Sequence, residues 1–209
     1  MSFQSGLANW LVVMSKAPRM GAVKTRLARD IGTVEASRFY RSNTQSLLQR
    51  LGSDPRWATV IAGAPDAHLN DAGFWPNALP RVSQGQGDLG DRMGRIMRDM
   101  PQGPVVLIGC DIPDVSPAHI AAAFKALGNN DAVFGPAEDG GYWLVGLKRR
   151  PHVKEIFGNV RWSSEHALVD TLANLKSANV AMLDVMPDID TGADFARWKA
   201  SLIGIGHGN

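Results

Sequence analysis

The segment Val105–Gly109 constrains this chain more than any other, because none of its residues is polar. A strand with no polar face has to be covered on both sides, as the central strands of a parallel sheet are. Leu11–Ser15 reads the same way and comes first in the chain. Further strands are expected at Ala58–Ala62, Arg81–Gln84 (weak), Ala132–Phe134, Tyr142–Leu147 and Val180–Val185. Between them lie segments of helical period. Thr33–Leu51 places Ala36, Phe39, Tyr40, Leu47, Leu48 and Leu51 on one face, and Asp88–Met100 does so with Leu89, Met93, Ile96, Met97 and Met100. Ser116-Pro117 opens a third helix with a serine N-cap and a proline at the first helical position. Ser163–Leu175 and Thr191–Leu202 are the last two. Strands alternating with helices predict an α/β fold in three α/β/α layers around a mostly parallel sheet. The GPAEDGG link between the fifth and sixth strands is too short for a crossover, so an antiparallel or bent pair is expected there.

The 209 residues suit a single domain spanning 1–209. A formal net charge of +2 argues against a general nucleic-acid surface. The single cysteine, Cys110, excludes an intrachain disulfide and suits a reducing cytoplasm. The start, MSFQSGLANWLVVMSKAP, lacks a basic export region, and no run approaches a membrane span of ~20 residues. A cytoplasmic protein without membrane partners is expected.

Ligands of such sheets bind beyond the carboxyl ends of the strands, where strand order reverses. That directs attention to the residues after Ser15, after Gly109, around Glu138–Gly141 and after Val185. The first of these, SKAPRMGAVKTRL, carries Lys16, Arg19, Lys24 and Arg26 with Gly21 and no acid. Clustered cations at a strand end suit a di- or triphosphate. Lys24-Thr25 resembles the end of a P-loop, but Val23 stands where that motif needs glycine. Asp111 ends the buried strand in VVLIGCDIPDVSP, where a divalent ion could bridge phosphate oxygens. Asp114, three residues on, serves either beside it or at the following helix. Gly135–Trp143 offers Glu138 and Asp139 with Gly140 and Gly141, either as an acceptor or base site or as a plain Asp-Gly turn. In DIDTGAD, Thr191 and Asp194 form a capping pair, leaving Asp190, or Asp188, as a second metal ligand.

Gly85–Gly90 matches G-x-G-x-x-G before a helix, as a dinucleotide site would. It follows the third strand rather than the first, and the first loop offers the better phosphate site. We therefore read Gly87 as a loop residue, Arg92 as a phosphate contact and Asp91 as a partner for Asp88 at the helix start. No zinc pattern or nucleophile elbow is present. Trp162 suits stacking on a ring or packing in the core.

Taken together, MSKAPRMGAVKTRLARDIG, QGDLGDRM, LIGCDIPDVSP, GPAEDGGYWLVGL, WSSEHALVDTL and DIDTGADF resemble the bacterial glycosyltransferase-like family called selenodomain-associated transferase 1, some of whose members are assigned to arsenosugar biosynthesis. The resemblance runs from about Val12 to Trp198. That family is similar to GT-A nucleotide-diphospho-sugar transferases and, more distantly, to the guanylyltransferases of molybdenum cofactor and coenzyme F420 synthesis. The resemblance implies a Rossmann-like GT-A fold. It implies that Lys16, Arg19, Gly21, Lys24, Arg26, Gly87 and Arg92 hold the nucleotide phosphates, with Lys24 also catalytic. Asp111 and Asp190 would hold Mg²⁺ or Mn²⁺. Glu138, Asp139, Gly140, Gly141, Tyr142 and Trp162 would face a small-molecule acceptor, with Asp139 catalytic. Cys110-Asp111-Ile112 departs from the family, which tends to place a hydroxyl residue before the aspartate and a cysteine after it. Three readings follow: sugar transfer from a nucleotide-sugar, nucleotidyl transfer with release of pyrophosphate, and nucleotide binding without turnover.

Overall fold

The computed structural model describes residues 8–71 and 73–205, the last three by backbone alone. The start of the chain that was read for export signals, through Leu7, lies outside the described residues. Strands β1 (Trp10–Lys16), β2 (Ala58–Ala64), β3 (Arg81–Ser83), β4 (Val105–Ile108), β5 (Ala132–Pro136), β6 (Tyr142–Leu147) and β7 (Val180–Met182) form one seven-stranded sheet, ordered β3-β2-β1-β4-β6-β5-β7. β1 pairs in parallel with β2 and β4, β2 with β3, and β5 with β7. Among the described strands β6 alone is antiparallel, lying between β4 and β5. The chain builds outward from β1 to β3, then returns to the other side of β1 with β4. The reversal between β1 and β4 is the switch point at which such sheets open a ligand crevice.

Alternate residues of the central strands serve opposite faces. Leu11 and Val13 of β1 with Val106 and Ile108 of β4 meet Tyr40, Leu47 and Leu51 of α2 (Thr33–Gly52) and Ile120 and Leu127 of α4 (Pro117–Asn129). Val12, Val105 and Leu107 face the other way, onto Met93, Ile96 and Met97 of α3 (Leu89–Asp99), with Leu168 and Leu172 of α5 (Ala167–Ala173) at the margin. The architecture is therefore the expected three-layer α/β/α fold. A third cluster joins Leu27 of α1 (Thr25–Ile31), Phe39 of α2, Ile189, and Phe195 of α6 (Gly192–Ile205). No described helix is long and apolar enough to cross a membrane.

Three expectations are corrected. The first loop ends early, because α1 begins at Thr25; only Leu27 of its seven residues is buried, so it leaves no periodic trace in the sequence. The helix expected from Ser163 begins at Ala167, because Ser163 has a positive φ of 58° and Ser164–His166 turn before the helix starts. β7 ends at Met182 rather than Val185, with Leu183 and Met186 each making one further backbone bond to β5.

Two helix starts are built as their sequences suggest. Asp88 caps α3 with Asp91 in a reciprocal capping box, and Ser116 starts α4 before Pro117. At α6 the Asp194 carboxylate accepts from the Thr191 amide at 2.8 Å and hydroxyl at 2.7 Å, and from Arg197 at 2.6 Å. Burial would raise its pKa, but these donors win and hold it at about 2. A carboxyl depressed in the folded state adds stability above its ordinary value of 3.8 and loses it as pH falls toward 2. Asp194→Asn should cost about 1 kcal/mol near neutral pH. Its stability should also fall less than that of the wild type between about pH 4 and pH 2, as urea unfolding across that range would show.

Candidate active site

A groove runs over the carboxyl ends of β1 and β4 and the amino end of the antiparallel β6, in two lobes. One, of about 590 Å³, is lined by Lys16, Lys24, Arg26, Gly87, Arg92 and Asp111 among others. The other, of about 680 Å³, is lined by Asp139, Gly141, Tyr142, Trp162, Glu165 and Asp188 among others. Lys16, Asp111 and Asp190 border both, so the lobes are continuous.

The junction is organised by Lys24. It sits before α1 in the left-handed region (φ 48°, ψ 46°), which costs a residue with a Cβ on the order of 1 kcal/mol and marks a position under constraint. Its side chain is only 4% exposed. The ammonium donates to Asp111 Oδ1 at 2.8 Å, Asp190 Oδ1 at 3.0 Å and the Ile189 carbonyl at 2.7 Å. Burial works against its charge, but the Asp111 and Asp190 carboxylates outweigh burial and leave the pKa above the ordinary lysine value. Arg26 approaches the far oxygen of Asp190 at 3.4 Å. Asp188 is half-buried beside this cluster. Burial, then the neighbouring carboxylates of Asp190 and Asp139, raise its pKa to about 6.

One buried phenol ties the strand ends together. The Tyr40 hydroxyl receives the Lys16 amide at 2.8 Å and donates to the Lys16 carbonyl at 2.9 Å. It also meets Ser15 Oγ at 3.1 Å and Cys110 Sγ at 3.3 Å. It therefore fixes the start of the cationic loop and the residue before Asp111 from a single point on α2. Burial pushes the phenol's pKa well up. Burial, then the Asp111 charge, raise that of Cys110, which is packing rather than a reactive thiolate. Tyr40→Phe should lower stability by about 1–3 kcal/mol, because it leaves the part-buried amide and carbonyl of Lys16 without their partner. A melting temperature several degrees lower would register this.

The structure gathers most of the expected site residues, but not all of them. Lys16, Lys24, Arg26, Gly87 and Arg92 line the first lobe; Asp139, Gly141, Tyr142 and Trp162 line the second. Arg19 and Gly21 instead border a smaller cavity of about 380 Å³ beyond Lys16. There the Arg19 guanidinium lies 2.7 Å from His68 Nε2, and His68 Nδ1 lies 2.7 Å from Asp71. Glu138 is exposed and borders neither lobe. Gly140 also lies off the groove: its φ is 83° and the Glu165 backbone packs against its α-carbon, so the close approach comes from this chain rather than a ligand. Asp114 is exposed and outside the groove as well. Gly90, part of the dinucleotide-like match, is glycine because the Trp162 ring and the Phe157 carbonyl press on it. Sequence reasoning gave the Ser163–Glu165 wall no role, although it lies within WSSEHALVDTL, one of the segments that carry the family resemblance.

Among the described residues no group of three or more His, Cys, Asp or Glu side chains is placed to hold a metal. Asp111 and Asp190 nevertheless converge on one point from β4 and the approach to α6. Two carboxylates completed by ligand phosphates and water suit Mg²⁺ or Mn²⁺, which seldom use all-protein cages.

A family of bacterial proteins, described as an uncharacterized protein conserved in bacteria (DUF2064), matches residues 47–164. The chain belongs to this family. The DUF2064 match includes Asp111, Asp139 and Trp162, while Lys16, Lys24 and Asp190 fall outside it. Comparison with curated proteins found no match. Among solved structures, a candidate nucleotide-diphospho-sugar transferase from Desulfovibrio desulfuricans is 30% identical, with a TM-score of 0.87 over 92% of this chain and 87% of that one. Two more distant structures share the fold. A manganese complex of Rv0371c from Mycobacterium tuberculosis is 19% identical, TM-score 0.53, over 93% of this chain and 99% of that one. Molybdopterin-guanine dinucleotide biosynthesis protein A from Archaeoglobus fulgidus is 14% identical, TM-score 0.56, over the same shares.

Proposed function

We propose that this DUF2064 protein is a divalent-metal-dependent transferase that takes a nucleotide-sugar and passes its sugar to a small-molecule acceptor. One observation carries the reading. A cation-lined lobe and a carboxylate- and aromatic-lined lobe open into each other across Asp111 and Asp190. The name given to the 30%-identical D. desulfuricans protein and the manganese bound to Rv0371c support it.

In this reading Lys16, Arg26 and Arg92 hold the diphosphate; Gly87 turns the loop beside them with a φ of 103°, and its α-carbon faces the Asp91 side chain rather than open groove. Asp111 and Asp190 hold Mg²⁺ or Mn²⁺. When bound, the ion stabilises the negative charge gathering on the departing diphosphate. Tyr142 and Trp162 wall the acceptor. The Asp139 Oδ1 atom is engaged by the Gly141 amide at 2.9 Å, which orients the carboxylate. Its other oxygen takes the proton of the acceptor hydroxyl as the acceptor oxygen bonds to the sugar and the sugar–phosphate bond breaks, the electron pair leaving with the nucleoside diphosphate.

Arg19, one of the four loop cations, borders the smaller cavity rather than the groove. Fewer cations are left for a triphosphate than the sequence suggests, which favours a diphosphate donor. The test is product analysis with nucleotide-sugars and with nucleoside triphosphates, each with Mn²⁺ and a panel of hydroxyl acceptors. Nucleoside diphosphate formed with loss of acceptor supports sugar transfer. Pyrophosphate from a triphosphate would replace it with nucleotidyl transfer. Binding without turnover in either series would reduce the protein to a nucleotide-binding module.

A further inference from the structure

The two carboxylates offered to a metal already have a cation between them. Lys24 reaches Asp111 and Asp190 from a backbone held in the left-handed region, with its side chain almost wholly buried. Its third bond, to the Ile189 carbonyl, anchors the ammonium within this pair. The same residue borders the cationic lobe, next to Lys16 and Arg26. An ammonium and a divalent ion held by these same two carboxylates would sit a few ångströms apart and repel, so each weakens the hold of the other. We propose that Lys24 is a stand-in for the metal: it neutralises Asp111 and Asp190 while the site is empty, and the metal binds well only when a polyphosphate draws the ammonium into the cationic lobe.

The inference rests on the metal-site reading above and adds an order to it. Metal and diphosphate bind as a coupled pair, each raising the other's affinity by the same factor. A conventional phosphate lysine would sit on the ligand side of the carboxylates and leave metal affinity untouched. Here removing its charge acts in the opposite sense to removing a helpful residue: metal alone should bind more tightly.

The experiment is Mn²⁺ titration of the full chain, followed by electron paramagnetic resonance of free Mn²⁺. It is run with and without inorganic pyrophosphate, and chelation is measured in a protein-free blank and subtracted. The wild type should bind Mn²⁺ at least about 10-fold more tightly with pyrophosphate than without it. Lys24→Met, which keeps an unbranched side chain one atom shorter and removes its charge, should bind Mn²⁺ alone at least about 10-fold more tightly than the wild type. Lys24→Arg should stay as weak as the wild type. Equal Mn²⁺ affinity with and without pyrophosphate overturns the proposal even if neither variant folds, and leaves the metal site standing. Weaker Mn²⁺ binding by a folded Lys24→Met also overturns it, making the lysine a structural pin. No Mn²⁺ binding by any form overturns both the proposal and the metal-dependent reading beneath it.

Discussion

Asp111→Asn should remove transfer activity by roughly a thousandfold while leaving the fold intact. The carboxylate lies just past the end of β4 at the switch point, is half exposed, and has Lys24 as its ion-pair partner. Lys24 keeps Asp190 and the Ile189 carbonyl when Asp111 is gone, so no buried charge is orphaned. The cost in stability should therefore stay within about 1 kcal/mol. Function is another matter, because metal stabilisation of a departing diphosphate is worth several kcal/mol and each 1.4 kcal/mol is about tenfold in rate. The measurement is a pair: melting temperature alone, and melting temperature with nucleotide-sugar and Mn²⁺. The variant should match the wild type in the first and show no ligand-dependent rise in the second. A metal-dependent rise that survives in Asp111→Asn would remove Asp111 from the metal site.

Gly140→Ala should destabilise the protein by roughly 3 kcal/mol, a melting-temperature loss of several to about ten degrees. Two costs combine. The residue has φ 83°, a conformation that a side chain with a Cβ resists. The added methyl would also meet the Glu165 backbone, which cannot swing aside as a side chain could. Gly140 further accepts the Leu168 amide at 3.1 Å, so a shift of its turn loosens the start of α5 and the Ser163–Glu165 wall. Gly128, in the last turn of α4, is the control: nothing lies within 4 Å of its added Cβ and its φ is ordinary. Alanine there should be neutral or stabilise by up to about 1 kcal/mol. Equal melting temperatures for the two variants would show that Glu165 does not hold this turn.

These cases mark how far the sequence could be read. The central strands were plain because Val12 and Leu107 are apolar like their neighbours, and only a sheet covered on both faces needs that. The antiparallel β5–β6 pair followed from the shortness of GPAEDGG. Asp111, Asp190 and Lys24 could be singled out from strand ends and charge. That all three meet at one ammonium could not be read, because the pairing joins residues 166 positions apart and depends on a left-handed lysine. Gly140 carried the reverse ambiguity: a glycine in a loop shows that something comes close, not whether it is a ligand or the chain itself. Helix α1 left no trace because a single buried leucine has no period.

The bond from Lys24 to Ile189, with a separation of 165 residues, fastens the first loop to the approach of the last helix. The junction of the two lobes is therefore also the clasp of the polypeptide. A chain still emerging from the ribosome lacks Asp188, Ile189 and Asp190, and so has no clasp. Contacts of such separation are closed late in folding, since the entropy of the long loop must be met first. Ligands that bind only the clasped form should stabilise the entire sheet by mass action. Slower hydrogen exchange would then extend along the buried amides of β1 and β4 to their amino ends, away from the groove.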